Sequence, residues 1–292
     1  MIYDITARIT TSYIPAAGAG RHVVRLEPLS IPGTQRLIAG EVRADPPPDE
    51  RLDRTDFFGN AVTECAYLAG LDALTFSLRA TVERLAQPVT LDLSPPLPRL
   101  AAELDERPSL AADAPHHFLA ASDRVAPLPA ITRYAREVTA GASTTLETVR
   151  ALGAALHRDM SFDPSATTVE TPPLEAFEAR HGVCQDFAHV MIAALRGMGV
   201  PAAYVSGFLR TLPPPGQERL EGADAMHAWI RAWTGIETGW IEFDPTNDCL
   251  AGTDHIVVGY GRDYGDVAPV RGILRLSGRQ KGTQAVDVVP RP

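Results

Sequence analysis

The chain has 292 residues, 45% of them hydrophobic, with 36 acidic against 27 basic side chains and a net charge of −9. That is enough apolar material for two compact domains, and the acidic balance with no Lys/Arg cluster excludes a nucleic-acid surface. No window approaches the roughly eighteen apolar residues of a membrane-spanning helix, and the opening MIYDITARITTSYI lacks a signal-peptide core. A soluble, cytoplasmic protein with neither nucleic-acid nor membrane partners is expected. Three cysteines, Cys65, Cys184 and Cys249, without a CxxC pair, suggest neither a disulfide framework nor a thiolate metal site.

In chain order, YDITARITTSYI, HVVRLEPL, QRLIAGEVRA, AVTECAYLA and ALTFSLRATVERL alternate apolar and polar residues between Gly, Pro and Asp clusters. They predict a β-sandwich-like domain over 1–110, with PPPDERLDRTDFFGNAVT as a proline-rich loop and a turn. A connector is placed at 111–130, where His116 and His117 have no ligand spacing around them. The remaining span, 131–292, reads as an α+β domain ending in a strand or tail. STTLETVRALGAALHRDM carries capping residues and a first-turn Glu. A helix opening at Cys184 follows, with an apolar stripe at Phe187, Ala188, Met191, Ile192, Leu195 and Met198 and stop signals at Gly197, Gly199 and Pro201. AAYVSGFLR, HAWIRAW and WIEFDP then read as strands, with the proline-rich loop Thr211 to Met226 as a candidate substrate rim.

The first turn of a helix supplies unpaired N–H groups and the positive end of the helix dipole, which favour a thiolate and also stabilise an oxyanion beside it. Cys184 occupies such a place; Cys65, inside a strand, does not. A nucleophilic thiol needs a base, and five histidines follow the connector: His157, His181, His189, His227 and His255. Alternation puts His227, Trp229, Arg231 and Trp233 on one face of their strand. A four-residue hairpin over 234–237 would pair Trp233 with Thr238 and set His227 directly opposite Asp244. Each residue alone fits a bland role: a core thiol, a surface imidazole, a turn former before proline. In this order and register they read as nucleophile, base and orienting carboxylate.

These residues and the segments FDPSATTVETP, RHGVCQDFAHVMIAALRGMGVPAAYVSGFL, HAWIRAW, GWIEFDPTND and VGYGRDYGDVAPVRG resemble the successive signatures of the transglutaminase-like superfamily, in its bacterial cysteine-protease branch. The opening segment with DFFGN resembles the β-rich N-terminal domain that accompanies it. The resemblance implies a papain-like core with helices packed on an antiparallel sheet. It also implies acyl transfer through a thioester, with Cys184 as nucleophile, His227 as base and acid, and Asp244 as orienting carboxylate. It assigns no side-chain oxyanion donor.

Around that set, Gln185 has an uncertain direction and Asp186 would favour the helix start electrostatically. Trp229 would shield the ion pair, and Asn247, Asp263 and Tyr264 would shape the pocket. The expected activity is hydrolysis of a peptide or isopeptide-like amide, with a primary-amine acceptor as the transferase variant. Neither cofactor nor metal is expected. The competing reading is a non-catalytic module that binds peptide or protein in the same groove.

Overall fold

The computed structural model describes residues 1–87, 91–211, 222, 224–275 and 277–291. Period-two alternation builds the first unit: in β1 (Ile2–Ala17), Tyr3, Ile5 and Ala7 are buried while Thr6 and Arg8 face solvent. β2 (Gly20–Val24), β3 (Gln35–Asp45), β4 (Glu50–Thr55), β5 (Ala61–Tyr67) and β6 (Leu71–Arg84) follow. β4 lies in the segment expected to be loop. Its six residues are all exposed at a sheet edge, so it carries none of the apolar alternation that marks a strand.

Helices dominate the middle of the chain: α1 (Leu97–Asp105), α2 (Pro129–Val138), α3 (Thr145–Asp159), α4 (Pro173–Ala179) and α5 (Cys184–Gly197), with the short β7 (Ser161–Phe162) and β8 (His181–Gly182) pairing just before α5. The expected cap of α3 is present, Thr144 accepting from the Glu147 N–H at 3.1 Å and Glu147 from the Ser143 N–H at 2.7 Å. Five strands then form an antiparallel sheet: β9 (Ala202–Leu209), β10 (Ala225–Trp233), β11 (Trp240–Asp244), β12 (Cys249–Leu250) and β13 (His255–Gly261), in the order β12-β11-β10-β9-β13. After the four-residue α6 (Tyr264–Val267) come β14 (Val270–Leu274) and β15 (Arg279–Pro290).

Those last two strands return to the first unit. β15 pairs with β1 and β14 with β2, completing two four-stranded sheets, β15-β1-β6-β3 and β14-β2-β5-β4. The expected span 131–292 had placed them with the helical core. Conversely Leu100 and Leu104 of α1, inside the expected 1–110 domain, pack into that core. It comprises α5, apolar residues of α2, α3 and α4, and Ala228, Ile230, Ala232 and Phe243 of the sheet. Phe208, Ile256 and Val258 of the same sheet join the sandwich core instead, so the five-stranded sheet is covered from both units. The fold is α+β, a β-sandwich beside a helix-on-antiparallel-sheet core, as the sequence predicts.

Candidate functional site

Cys184 is the first residue of α5. The start of that helix is fixed by Asp186, whose Oδ2 accepts from the Val183 N–H at 2.8 Å and from the Thr167 hydroxyl at 2.6 Å. The helix is buried on nearly every side, from Phe187 to Leu195, which is wider than the predicted stripe and marks it as the central helix of its core. It closes at Gly199, whose φ of +82° is the left-handed conformation that glycine adopts without strain.

His227 is the third residue of β10 and Asp244 ends β11. Their strands pair Trp233 with Trp240, Arg231 with Glu242 and Ile230 with Phe243, two residues beyond the expected register. The predicted opposition of His227 and Asp244 is therefore not observed. The connection is a six-residue loop over 234–239, and Thr234 closes it by donating its N–H to the Gly239 carbonyl at 2.8 Å. A shift of two preserves the face, and the side chains meet diagonally: His227 Nε2 donates to Asp244 Oδ2 at 2.7 Å. Cys184 lies close enough to the His227 ring to raise its imidazole electrostatically. Nε2 being engaged by the carboxylate, Nδ1 is the ring nitrogen left for a second partner.

Asp244 is fully buried and takes five donors. Oδ1 accepts from the N–H groups of Thr246 (2.9 Å) and Asn247 (3.3 Å), the turn geometry that Asp adopts before Pro-Thr. Oδ2 accepts from His227, from Asn247 Nδ2 at 2.7 Å and from His255 Nε2 at 3.1 Å. Burial pushes this carboxyl up, but the hydrogen bonds from His227 and His255 and the charge of His227 outweigh it and hold it well below the usual carboxylate range. Burial works against the His227 imidazolium as well. Asp244 and Cys184 together overcome it, raising the imidazole to about 10. Burial pushes the other two thiols up, Cys249 to about 11 with help from Asp244, and Cys65 in the same direction.

The remaining predicted residues divide. Trp229 is fully buried beside both imidazoles, near-parallel to His227 at 6.0 Å and edge-on to His255 at 5.2 Å, with its indole N–H donated to Glu242 at 3.0 Å. Asn247 supports Asp244 rather than lining a pocket. Gln185 turns away to the loop before α4, donating to the Val169 carbonyl at 3.1 Å. Burial raises the Asp186 carboxyl, and its Oδ1 is buried with no hydrogen-bond partner among the described residues. Asp263 is a buried cap that accepts from the N–H groups of Arg124 (2.9 Å) and Gly265 (2.7 Å), tying the connector to α6. Tyr264 does line a cleft of about 640 Å³ beside α5, with His189, Arg124, Glu170 and Arg271. A hollow of about 770 Å³ lies at the opposite end of the helix, around Gly197. Of the candidate rim from Thr211 to Met226, residues 212–221 and 223 lie outside the described residues.

His255 is the neighbour that sequence reasoning passed over. It opens β13, while His227 lies near the start of β10, and the two strands flank β9, where Gly207 pairs with both His227 and Val257. The recurrence of HIVVGYG after HAWIRAW, two strands each opening near a histidine, is the one signal available in the chain. His227, Asp244 and His255 bring their ligand atoms within 4.8 Å of one another, a set that could hold a metal ion. The second nitrogen of His255 speaks against it. Nδ1 accepts from the Gly252 N–H at 3.2 Å, whereas a metal on Nε2 would require a proton at Nδ1, facing that donor. The set fits a hydrogen-bond hub better than a metal site.

Residues 132–245 match the model of the transglutaminase-like superfamily, and residues 3–83 that of the bacterial transglutaminase-like N-terminal region. An uncharacterized protein of Mycobacterium tuberculosis is 37% identical over 263 residues, covering 88% of this chain and 82% of its own. A protein-glutamine gamma-glutamyltransferase of Pseudomonas aeruginosa is 35% identical over 105 residues, 33% of this chain and 16% of that protein. A Cytophaga hutchinsonii structure named "Putative Cysteine Protease" shares the fold with a TM-score of 0.70 at 20% identity, covering 99% of this chain and 90% of that one. The chain belongs to the transglutaminase-like superfamily.

Proposed function

We propose that this protein is a cysteine-dependent amide hydrolase acting through a thioester, with Cys184 as nucleophile, His227 as acid and base, and Asp244 as orienting carboxylate. The observation that carries the reading is the buried hydrogen bond from His227 to Asp244, with Cys184 close enough to the same imidazole to raise it. An imidazolium braced by a carboxylate favours a thiolate beside it. In the reaction the sulfur bonds to the amide carbon, and the oxyanion forms against the first-turn N–H of α5. The C–N bond breaks as His227 gives its proton to the leaving amine. Water then attacks the thioester, His227 taking its proton, and the carboxylic acid leaves as the C–S bond breaks. The acyl donor is a peptide or isopeptide-like amide.

Cys184 is only partly buried, which gives water a route to the thioester and favours hydrolysis. The second reading is transfer to a primary amine, supported by the name of the Pseudomonas aeruginosa relative. Three free cysteines suit a reducing compartment, and the cytoplasm is the proposed location.

Limited iodoacetamide near neutral pH should modify Cys184 well before Cys65 and Cys249, whose thiols are pushed up by burial. A glutamine-containing peptide library with a biotinylated amine then separates cleavage, deamidation and amine incorporation by mass. Cys184→Ala is expected to lose all three. Equal labelling of the three cysteines, or activity surviving in Cys184→Ala, rejects the proposal.

A further inference from the structure

We propose that His255 is a positioning residue of this site: a second imidazole, fixed as an Nε2–H donor, that shares Asp244 with His227 and sets how tightly the carboxylate holds the His227 proton. The inference rests on the function proposed above and adds a residue to it.

The tautomer follows from geometry. The Gly252 N–H points at Nδ1 from 3.2 Å, so that nitrogen presents its lone pair and the ring proton lies on Nε2, 3.1 Å from Asp244 Oδ2. Trp229 packs edge-on against the ring at 5.2 Å. His255 is 5% exposed, so water does not compete for either nitrogen.

The groups that face Asp244 come from every element around it. β10 supplies His227, the turn after β11 supplies the Thr246 and Asn247 N–H groups and the Asn247 amide, β12 supplies the Cys249 thiol, and β13 supplies His255. Cys184 on α5 reaches the same centre through His227. Of the three donors on Oδ2, His227 is the one whose protonation changes in the proposed reaction. His255 and Asn247 draw off charge that His227 would otherwise face alone. A carboxylate stripped of His255 holds the His227 proton more tightly and releases it to a leaving amine more slowly.

The position of β13 matters for the same reason. His255 lies opposite Leu209 of β9, while His227 lies opposite Gly207 on the other edge of that strand. One strand therefore sets the spacing of both imidazoles.

The test uses the full chain with His255→Phe, which keeps a ring against Trp229 but no donor, and His255→Gln, which restores an N–H. The first readout is the pH profile of Cys184 alkylation by iodoacetamide, which needs no substrate. In wild type its upper inflection, where His227 loses its proton, should move to higher pH in His255→Phe and return toward wild type in His255→Gln. Turnover in His255→Phe should fall about tenfold to a hundredfold in kcat with KM within about twofold. The second readout is ¹⁵N NMR of the histidines, in which His255 should show the Nε2–H tautomer at neutral pH. An Nδ1–H tautomer, or an inflection unmoved in both variants while Cys184 remains the fast-labelled thiol, overturns this inference alone. A profile that is the same in wild type and His227→Ala overturns the proposed function together with it. Should His255→Phe fail to fold, His255→Gln and the wild-type spectrum still decide.

Discussion

Gly207 shows how a residue without a side chain shapes the site. A β-carbon there would collide with the Trp229 ring on one side and the Ile256 carbonyl oxygen on the other. Both are fixed, one in the core and one in the backbone of β13, so neither yields as a flexible surface side chain would. Gly207→Ala is expected to cost about 1–3 kcal/mol by overpacking. Because the displaced ring packs against both imidazoles, activity should drop along with stability. Chemical denaturation and turnover measured side by side check this, and a variant with wild-type values for both would refute it. The helix start at Cys184 and the strand faces that carry His227 and Asp244 were legible in the sequence because helix starts and strand alternation are local patterns, whereas the four-residue hairpin expected between the two strands is not observed. His255 was not legible, since its approach to Asp244 requires that β13 pair with β9 on the side away from β10, and no local pattern states that.

At the scale of the element, α5 holds one end at the proposed nucleophile and a buried histidine one turn further on. His189 is 2% exposed and accepts the Tyr264 N–H at 3.2 Å, and burial lowers it from an ordinary 6.5 to about 4. Between those values the unfolded chain binds the proton and the folded one does not, so stability falls as pH falls, by about 3 kcal/mol across the window. Asp244, held low in the fold, adds to the acid loss below about pH 4, the unfolded value for Asp. His227 acts with the opposite sign: raised to about 10, it contributes fully below about pH 6.5 and its contribution disappears as pH climbs through 10. Denaturant midpoints from pH 4 to 10 should therefore describe a dome peaking near 6.5. In His189→Gln the acid side should flatten while the alkaline side stays. An acid limb unchanged in that variant would assign it to another group. The hairpin of β10 and β11 marks the limit of sequence reading at this scale. Parity survives an error of two residues in loop length, so the face was legible while the register was not.

Across the whole molecule, the division into two units follows sheet partners that the sequence did not disclose. Alternation identifies β14 and β15 as extended but is silent on the strands they join, and β15 pairs with β1 from the opposite end of the chain. The sandwich they complete also seals the edge of the five-stranded sheet. β13 is an edge strand whose outward backbone groups would otherwise lie unpaired. Two side-chain amides from the first unit stand in for a neighbouring strand. Gln35 accepts from the Val257 N–H at 2.9 Å and donates to its carbonyl at 2.8 Å, and Asn60 does the same for Tyr260, both at 2.8 Å. Gln35→Leu leaves the Val257 N–H buried without an acceptor, at about 1–3 kcal/mol, while the carbonyl keeps the Leu29 N–H at 3.0 Å. Val257 is the second residue beyond His255, so loosening it there should also lower kcat. Asn60→Leu acts three residues further along β13 and should destabilise the protein while sparing more of the activity per unit of stability lost. If the two variants lose activity strictly in proportion to stability, the sandwich acts as a general support and not through the strand that carries His255.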